Sequence, residues 1–160
     1  MDVISENDLR LMNDTLAHEY VGMAAYEAAI RSGLLSDGVA AVARQFQRHH
    51  GEHAAKLREV ILGGGGQPVK PKSHEEYVAE LPLADLKSEA DVLALAAELE
   101  KGAAGAYLDQ VAEFNDPKLG RLMASISGDE AMHWAILLNA QGQDPVPVAF
   151  VPGATDATHG

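Results

Sequence analysis

Apolar residues recur along the chain at intervals of three and four positions, the spacing of one face of an α-helix. Alanine is abundant, and no stretch alternates apolar and polar residues as a half-buried strand would. The pattern predicts four long helices, over about residues 6–35, 37–62, 89–115 and 117–140, and one short helical turn in HEEYVAEL. The sequence therefore predicts an all-α fold.

Turn-forming residues mark where these helices begin and end. Ser5 and Asn7 are candidate caps of the first helix, SGLLSDG ends it, four glycines end the second, and Pro117 begins the fourth. Short loops within each helix pair make its members antiparallel, and the long segment 63–88 crosses between the pairs. This arrangement predicts a four-helix bundle of two antiparallel hairpins joined by a long crossover, with an irregular helical domain as the alternative. We predict that the bundle spans residues 1–151 and that residues 152–160 form an extended C-terminal tail.

Charge and composition limit the partners and the chemistry. The chain of 160 residues carries 24 Asp and Glu against 12 Lys and Arg, a formal net charge of −12. Such a surface repels phosphate backbones and anionic headgroups, so we expect no nucleic-acid partner and no membrane partner. There is no cysteine, so any metal must be held by histidine and carboxylate. The N-terminus lacks a signal-peptide pattern and no window resembles a membrane span, which predicts a cytoplasmic protein.

The two predicted hairpins match each other in sequence. EYVGMAAY in the first helix and EKGAAGAY in the third place Glu19 and Glu100 at the same distance before a tyrosine. HHGEHAAKL in the second helix and DEAMHWAIL in the fourth share their offsets of three and four positions between polar residues and a leucine. Internal duplication is the simplest account of this match, although composition bias in alanine-rich helices could imitate parts of it.

Several ionisable residues fall on the apolar faces of these helices, where a core is predicted. They are Glu19, His50, His53, Glu100, Glu130 and His133. A buried carboxylate without a partner costs several kcal/mol or more, so it persists only when paired, protonated or bound to a cation. Two divalent ions would supply the partners that these side chains need. The pattern therefore predicts a metal site, with Tyr26 and Tyr107 packed nearby.

Glutamates on the first and third helices, together with EAMH on the fourth, resemble the ferritin-like di-metal carboxylate superfamily over about residues 5–151. The resemblance implies that two iron or manganese ions are bound by one Glu from each of two helices and a Glu-x-x-His from each of the others. The residues that match this scheme are Glu19, His53, Glu100, Glu130 and His133. His50 departs from it, because the family has glutamate there.

The departure at His50 changes the predicted charge and metal preference of the site. Three carboxylates face a formal charge of about +4 from two divalent ions, so one position could bind weakly. An imidazole in place of a carboxylate shifts preference toward Zn, Cu, Ni or Fe(II). Iron is therefore the first choice of cofactor, with manganese or zinc as alternatives. His49 and Asp129 are candidates for outer groups that contact the ligands.

Three functions remain open at this stage. The first is a di-iron or di-manganese oxidoreductase that acts on dioxygen or a peroxide. The second is a non-catalytic protein that binds or stores iron, and the third is a ferritin-like scaffold with a degenerate metal site. A homodimer is compatible with the spare apolar residues of the helices, but no seam can be assigned from the sequence. Whether the chain is an enzyme is left open, since one bundle hosts many activities.

Overall fold

The computed structural model describes residues 3–153, and within that range the chain is helical with no strand. The helices are α1 (Glu6–Arg31), α2 (Asp37–Gly63), α3 (His74–Glu80), α4 (Glu89–Gln110) and α5 (Pro117–Ala140), with a short 3₁₀ helix at Val111–Glu113. The prediction of an all-α fold is confirmed. Residues 154–160, most of the predicted tail, lie outside the described residues.

Local chemistry explains where α1 and α2 begin and end. The Ser5 hydroxyl accepts a hydrogen bond from the Asp8 N–H at 3.1 Å, which confirms Ser5 as the cap of α1. The helix ends at Arg31, four residues before the predicted limit, because Gly33 adopts φ 73°, in the left-handed region. The Ser36 N–H at the start of α2 donates to the carboxylate of Glu89.

The end of α4 also differs from the prediction. We expected a helix to about residue 115, but α4 ends at Gln110 and continues as the 3₁₀ helix. The start of α5 packs tightly against this turn, because a Cβ atom at Gly120 would lie 3.0 Å from the Val111 carbonyl oxygen. Pro117 occupies the first turn of α5 as predicted, and the Asp116 side chain accepts from the Lys118 N–H.

The chain divides into two compact units, Met1–Glu89 and Ala90–Gly160. In the first unit, α1 and α2 pack as an antiparallel hairpin, since Glu27 contacts Gln47 near the loop and Tyr20 contacts Arg58 farther from it. The crossover is fastened to α1, because the Asn13 side chain accepts from the Val69 N–H at 2.6 Å. The short helix α3 also contacts α1 and buries one tyrosine.

The second unit contains the other hairpin. The Ser127 hydroxyl donates to the Ala104 carbonyl at 2.7 Å, and the Gln141 side chain donates to the Leu93 carbonyl at 3.4 Å. Later residues of α5 thus meet earlier residues of α4, so the two helices are antiparallel. None of the helices in residues 3–153 has the length and apolar character that a membrane span requires.

Candidate metal-binding site

Three of the predicted ligands meet within the first unit, and we call Glu19, His50 and His53 the first half-site. The Glu19 side chain is completely buried, and His50 is 4% exposed. His50 Nδ1 lies 2.7 Å from Glu19 Oε2, a short hydrogen bond in which the carboxylate accepts. His53 Nδ1 lies 3.4 Å from the same oxygen, a longer separation than a good hydrogen bond has.

The helical hairpin determines this geometry. His50 and His53 are three positions apart, so they lie on one face of α2, one turn from each other. That face packs against the two turns of α1 that carry Glu19, Gly22 and Tyr26. The sequence thus places one carboxylate opposite two imidazoles in a region where most neighbours are apolar.

A seat formed by two residues of α1 holds the His50 ring. A Cβ atom added at Gly22 would come within 2.9 Å of His50 Nδ1 and Cε1, so only glycine leaves room for the ring in this position. The Tyr26 ring stacks on the imidazole with centroids 5.6 Å apart and an angle of 30° between the planes. The seat and the hydrogen bond to Glu19 together define the orientation of the imidazole.

Glu19 stays ionised despite its surroundings. Burial alone would raise the pKa of this carboxyl, but the short hydrogen bond of His50, the longer contact of His53 and the charges of both imidazoles outweigh burial and lower the pKa below the usual value. Within the part of the chain that the structure describes, Glu19 Oε1 has no hydrogen-bond partner. A buried carboxylate with one unpaired oxygen is an arrangement that a bound cation would complete.

The other three predicted ligands meet within the second unit, and we call Glu100, Glu130 and His133 the second half-site. All three are almost fully buried. His133 Nδ1 lies 3.3 Å from Glu100 Oε1 and 3.6 Å from Glu130 Oε2. Glu130 and His133 share a face of α5, and the nearby contact of Ser127 with Ala104 keeps that face against α4.

The two carboxylates control the protonation of His133. Burial alone would lower its pKa, but the contacts of its Nδ1 with the oxygens of Glu100 and Glu130, together with the charges of these carboxylates, raise the pKa to about 9. On the other side of the ring, Nε2 lies 3.3 Å from Asp129 Oδ2. Asp129 thus contacts a candidate ligand from outside, as the sequence suggested.

These residues have the donors and spacing that a transition metal needs. Imidazole nitrogen and carboxylate oxygen bind such ions at about 2.0–2.2 Å, so neighbouring donors on one ion lie roughly 3.0–3.5 Å apart. The separations of 3.3, 3.4 and 3.6 Å around His133 and His53 are close to that range. The donor set of each half-site therefore fits a metal ion.

The sequence identified the ligand candidates but missed Gly22. A glycine in the middle of a helix weakens it, so its presence one turn after Glu19 was a signal that another group approaches the backbone there. The spacing could not reveal that the approaching group is His50. Asp129, one of the two outer candidates, contacts His133. The other candidate, His49, lies against the ring of Phe46.

Comparisons with known proteins agree with the fold. A structure described as a conserved hypothetical protein from Mycobacterium tuberculosis superimposes with a TM-score of 0.72 at 20% identity, covering 90% of this chain and 96% of that one. No curated protein matches the sequence. The model of the ferritin-like domain matches residues 7–143. The chain therefore belongs to the ferritin-like domain family.

Proposed function

We propose that this protein binds transition-metal ions at its two half-sites and uses them in oxidation–reduction chemistry with dioxygen or a peroxide. Membership of the ferritin-like family and the matching positions of five residues support the proposal. They are Glu19, His53, Glu100, Glu130 and His133. Each hairpin would supply most of the ligands of one ion.

The observation that carries the proposal is the burial of charged carboxylates. Glu19 and Glu130 are 0% exposed, and one oxygen of Glu19 accepts no hydrogen bond within residues 3–153. Removing an ionised carboxylate from water costs several kcal/mol, and imidazole neighbours return only part of that. A divalent ion returns more, because it binds the carboxylate oxygen directly and carries twice the charge of an imidazolium.

We propose iron as the resident metal. Mixed imidazole and carboxylate ligands suit Fe(II), with manganese and zinc as alternatives, whereas all-oxygen sites suit magnesium and calcium. Zinc has no redox chemistry, so iron or manganese is required for the proposed reaction. Bound iron or manganese would supply the electrons that reduce dioxygen or a peroxide. The chain itself would hold the ions in buried positions and limit the access of bulk water to them.

Metal analysis of protein purified without added metal tests the proposal. We expect iron or manganese in amounts approaching one or two ions per chain, and consumption of dioxygen or hydrogen peroxide by the protein reduced in the absence of air. A stoichiometric metal content with no consumption would refute the redox role and leave a metal-binding protein. A metal content far below one ion per chain, before and after incubation with Fe(II), would refute metal binding.

A further inference from the structure

We propose that His50 is a positioning residue, which holds the Glu19 carboxylate toward the metal ion and is not itself a ligand. The inference rests on the proposed metal binding and concerns the one residue that departs from the family pattern. It assigns a purpose to the histidine that stands where related proteins would have a ligand glutamate.

His50 differs from His53 and His133 in the distance between its ring nitrogen and the nearest carboxylate oxygen. His50 Nδ1 lies 2.7 Å from Glu19 Oε2, whereas His53 and His133 lie 3.3–3.6 Å from their carboxylates. The shorter distance is that of a strong hydrogen bond to a charged acceptor. The distances of His133 to its two carboxylates are close to the spacing of two donors that share an ion. Of these three histidines, His50 therefore makes the shortest contact with a carboxylate.

The two oxygens of Glu19 then have different tasks. Oε2 accepts the hydrogen bond of His50, and Oε1 has no hydrogen-bond partner within residues 3–153. Carboxylates that bind metals are commonly held by such a hydrogen bond from outside the coordination sphere. We infer that Oε1 is the oxygen offered to the ion. A glutamate at position 50 would carry no proton to donate when ionised, so it could not replace His50 in this task.

The residues around the His50 ring also hold it in the orientation that the hydrogen bond to Glu19 needs. Gly22 leaves the space that the ring fills, and Tyr26 stacks on one of its faces. If His50 only marked a metal site that has lost its function, the facing helix would not need a glycine opposite the ring. The fit of ring, glycine and tyrosine is therefore better explained by a need for the imidazole at this place and angle.

The test compares three substitutions of His50 by Co(II) titration of the metal-free protein. Asn places an N–H donor near the position of Nδ1 but cannot act as an imidazole ligand, whereas Ala removes both. We expect His50→Asn to keep the visible Co(II) spectrum and an affinity within about threefold of wild type. We expect His50→Ala to keep the spectrum but bind about 10–100-fold more weakly, as lost outer hydrogen bonds generally do. Gln, whose amide sits farther along the side chain, should resemble Ala.

A change of the Co(II) spectrum in His50→Asn would show that a nitrogen ligand has been lost, and it would overturn the inference. Equal affinities of the Ala variant and wild type would also overturn it, because Glu19 would then need no positioning. If wild-type protein binds neither Co(II) nor Fe(II), the proposed function itself fails together with the inference. If wild-type protein does bind metal and one of the two contrary results above is obtained, only the inference about His50 fails.

A second pair of variants tests the seat without touching a polar group. Gly22→Ala places a methyl group against the His50 ring, whereas Gly102→Ala in α4 places one where no atom lies within 4 Å. We expect the first variant to weaken Co(II) binding about tenfold, since a displaced outer group acts like a lost one. Gly102→Ala should bind as wild type does. Equal binding by both variants would contradict a role for the seat.

Discussion

At the scale of single residues, the protein buries more charge than its fold requires. Glu19, Glu100 and Glu130 are 0–3% exposed, and each lies near an imidazole. Replacing a buried ion pair by neutral groups is often harmless to stability, so these charges are hard to explain as stabilising contacts. Their arrangement is instead what metal binding needs, at a cost to the metal-free fold.

Substitution of Glu130 by Gln separates these two roles. The amide has the size of the carboxylate but is a poor metal ligand, so we expect the variant to lose most of the metal from its second half-site. Glu100 remains as the partner of protonated His133, so the free energy of unfolding of the metal-free variant should fall by no more than the part of the His133 stabilisation that Glu130 supplies. Metal analysis and urea unfolding measure the two effects. Glu59→Gln, at a side chain that is 66% exposed, is the control and should change neither.

The raised pKa of His133 predicts how pH affects the metal-free protein. Its folded-state pKa of about 9 exceeds the ordinary value of 6.5, so its protonated form stabilises the fold fully below pH 6.5. This contribution, on the order of a few kcal/mol, is lost as pH rises from 6.5 through 9. Urea unfolding of metal-free protein across this range measures the decline. The His133→Gln variant should lack this decline. A wild-type stability that does not fall over this range, or an equal fall in the variant, would contradict the role given to His133.

At the scale of secondary-structure elements, the starts of α1 and α2 differ in how they are capped. The Ser5 side chain caps α1, whereas the Ser36 side chain makes no capping hydrogen bond to α2. Instead, the Ser36 backbone N–H donates to Glu89. Ser5 therefore caps its helix through its hydroxyl, whereas Ser36 contacts Glu89 through both its backbone N–H and its side chain.

Alanine substitutions of the two serines should have unequal effects. Ser5→Ala removes a hydroxyl that accepts from the helix and should lower the free energy of unfolding by about 1 kcal/mol. Ser36→Ala keeps the backbone hydrogen bond and removes only an exposed side-chain contact with Glu89, so it should cost only a few tenths of that. Urea unfolding of the two variants side by side provides the comparison. A larger loss for Ser36→Ala would mean that the capping contacts have been assigned to the wrong serine.

Two glycines of α5 should respond in opposite directions to alanine. At Gly128 the added methyl group meets no atom within 4 Å, so the gain in helix propensity should stabilise the fold by about 0.5–1 kcal/mol. At Gly120 it meets the Val111 carbonyl oxygen at 3.0 Å, a backbone atom that cannot easily move. We expect Gly120→Ala to lower the melting temperature and Gly128→Ala to raise it. Equal shifts would mean that the 3₁₀ turn yields to the methyl group.

The helices could be predicted from the sequence because their apolar periodicity and turn residues are local signals. Gly33 and the 3₁₀ turn after Gln110 shortened two predicted helices, since helix ends depend on competing backbone conformations. The ligand candidates were also local signals, as charges on apolar faces. The contact of His50 with Glu19 and the space at Gly22 could not be predicted, because they depend on how α2 is aligned along α1.

At the scale of the whole molecule, the match of residues 7–143 to the family model shows the fold and the family, whereas the activity is a proposal. The predicted limits of one bundle at residues 1–151 stay a prediction, as do the homodimer and the cytoplasmic location. The net charge of −12 attracts cations and repels anions, which is favourable for a protein that must collect metal ions.

Metal binding should stabilise the entire fold. An ion that binds only the folded chain stabilises it by an amount that grows with its concentration relative to the dissociation constant, about 2.7 kcal/mol at a hundredfold excess. We expect added Fe(II), in the absence of air, to raise the melting temperature of wild type by several degrees, and a chelator to reverse it. The rise should be smaller for Glu130→Gln. No shift in wild type at saturating Fe(II) would contradict binding to the folded state.

The two hairpins offer unequal numbers of anions to a cation. The first half-site has one carboxylate, partly satisfied by His50, and the second has two around one histidine. When the supply of metal is scarce, the second hairpin should therefore load first, because two carboxylates attract a cation more strongly than one. Protein with one bound ion would then be a distinct species in a metal titration. The fraction of protein in this form would depend on the concentration of free metal.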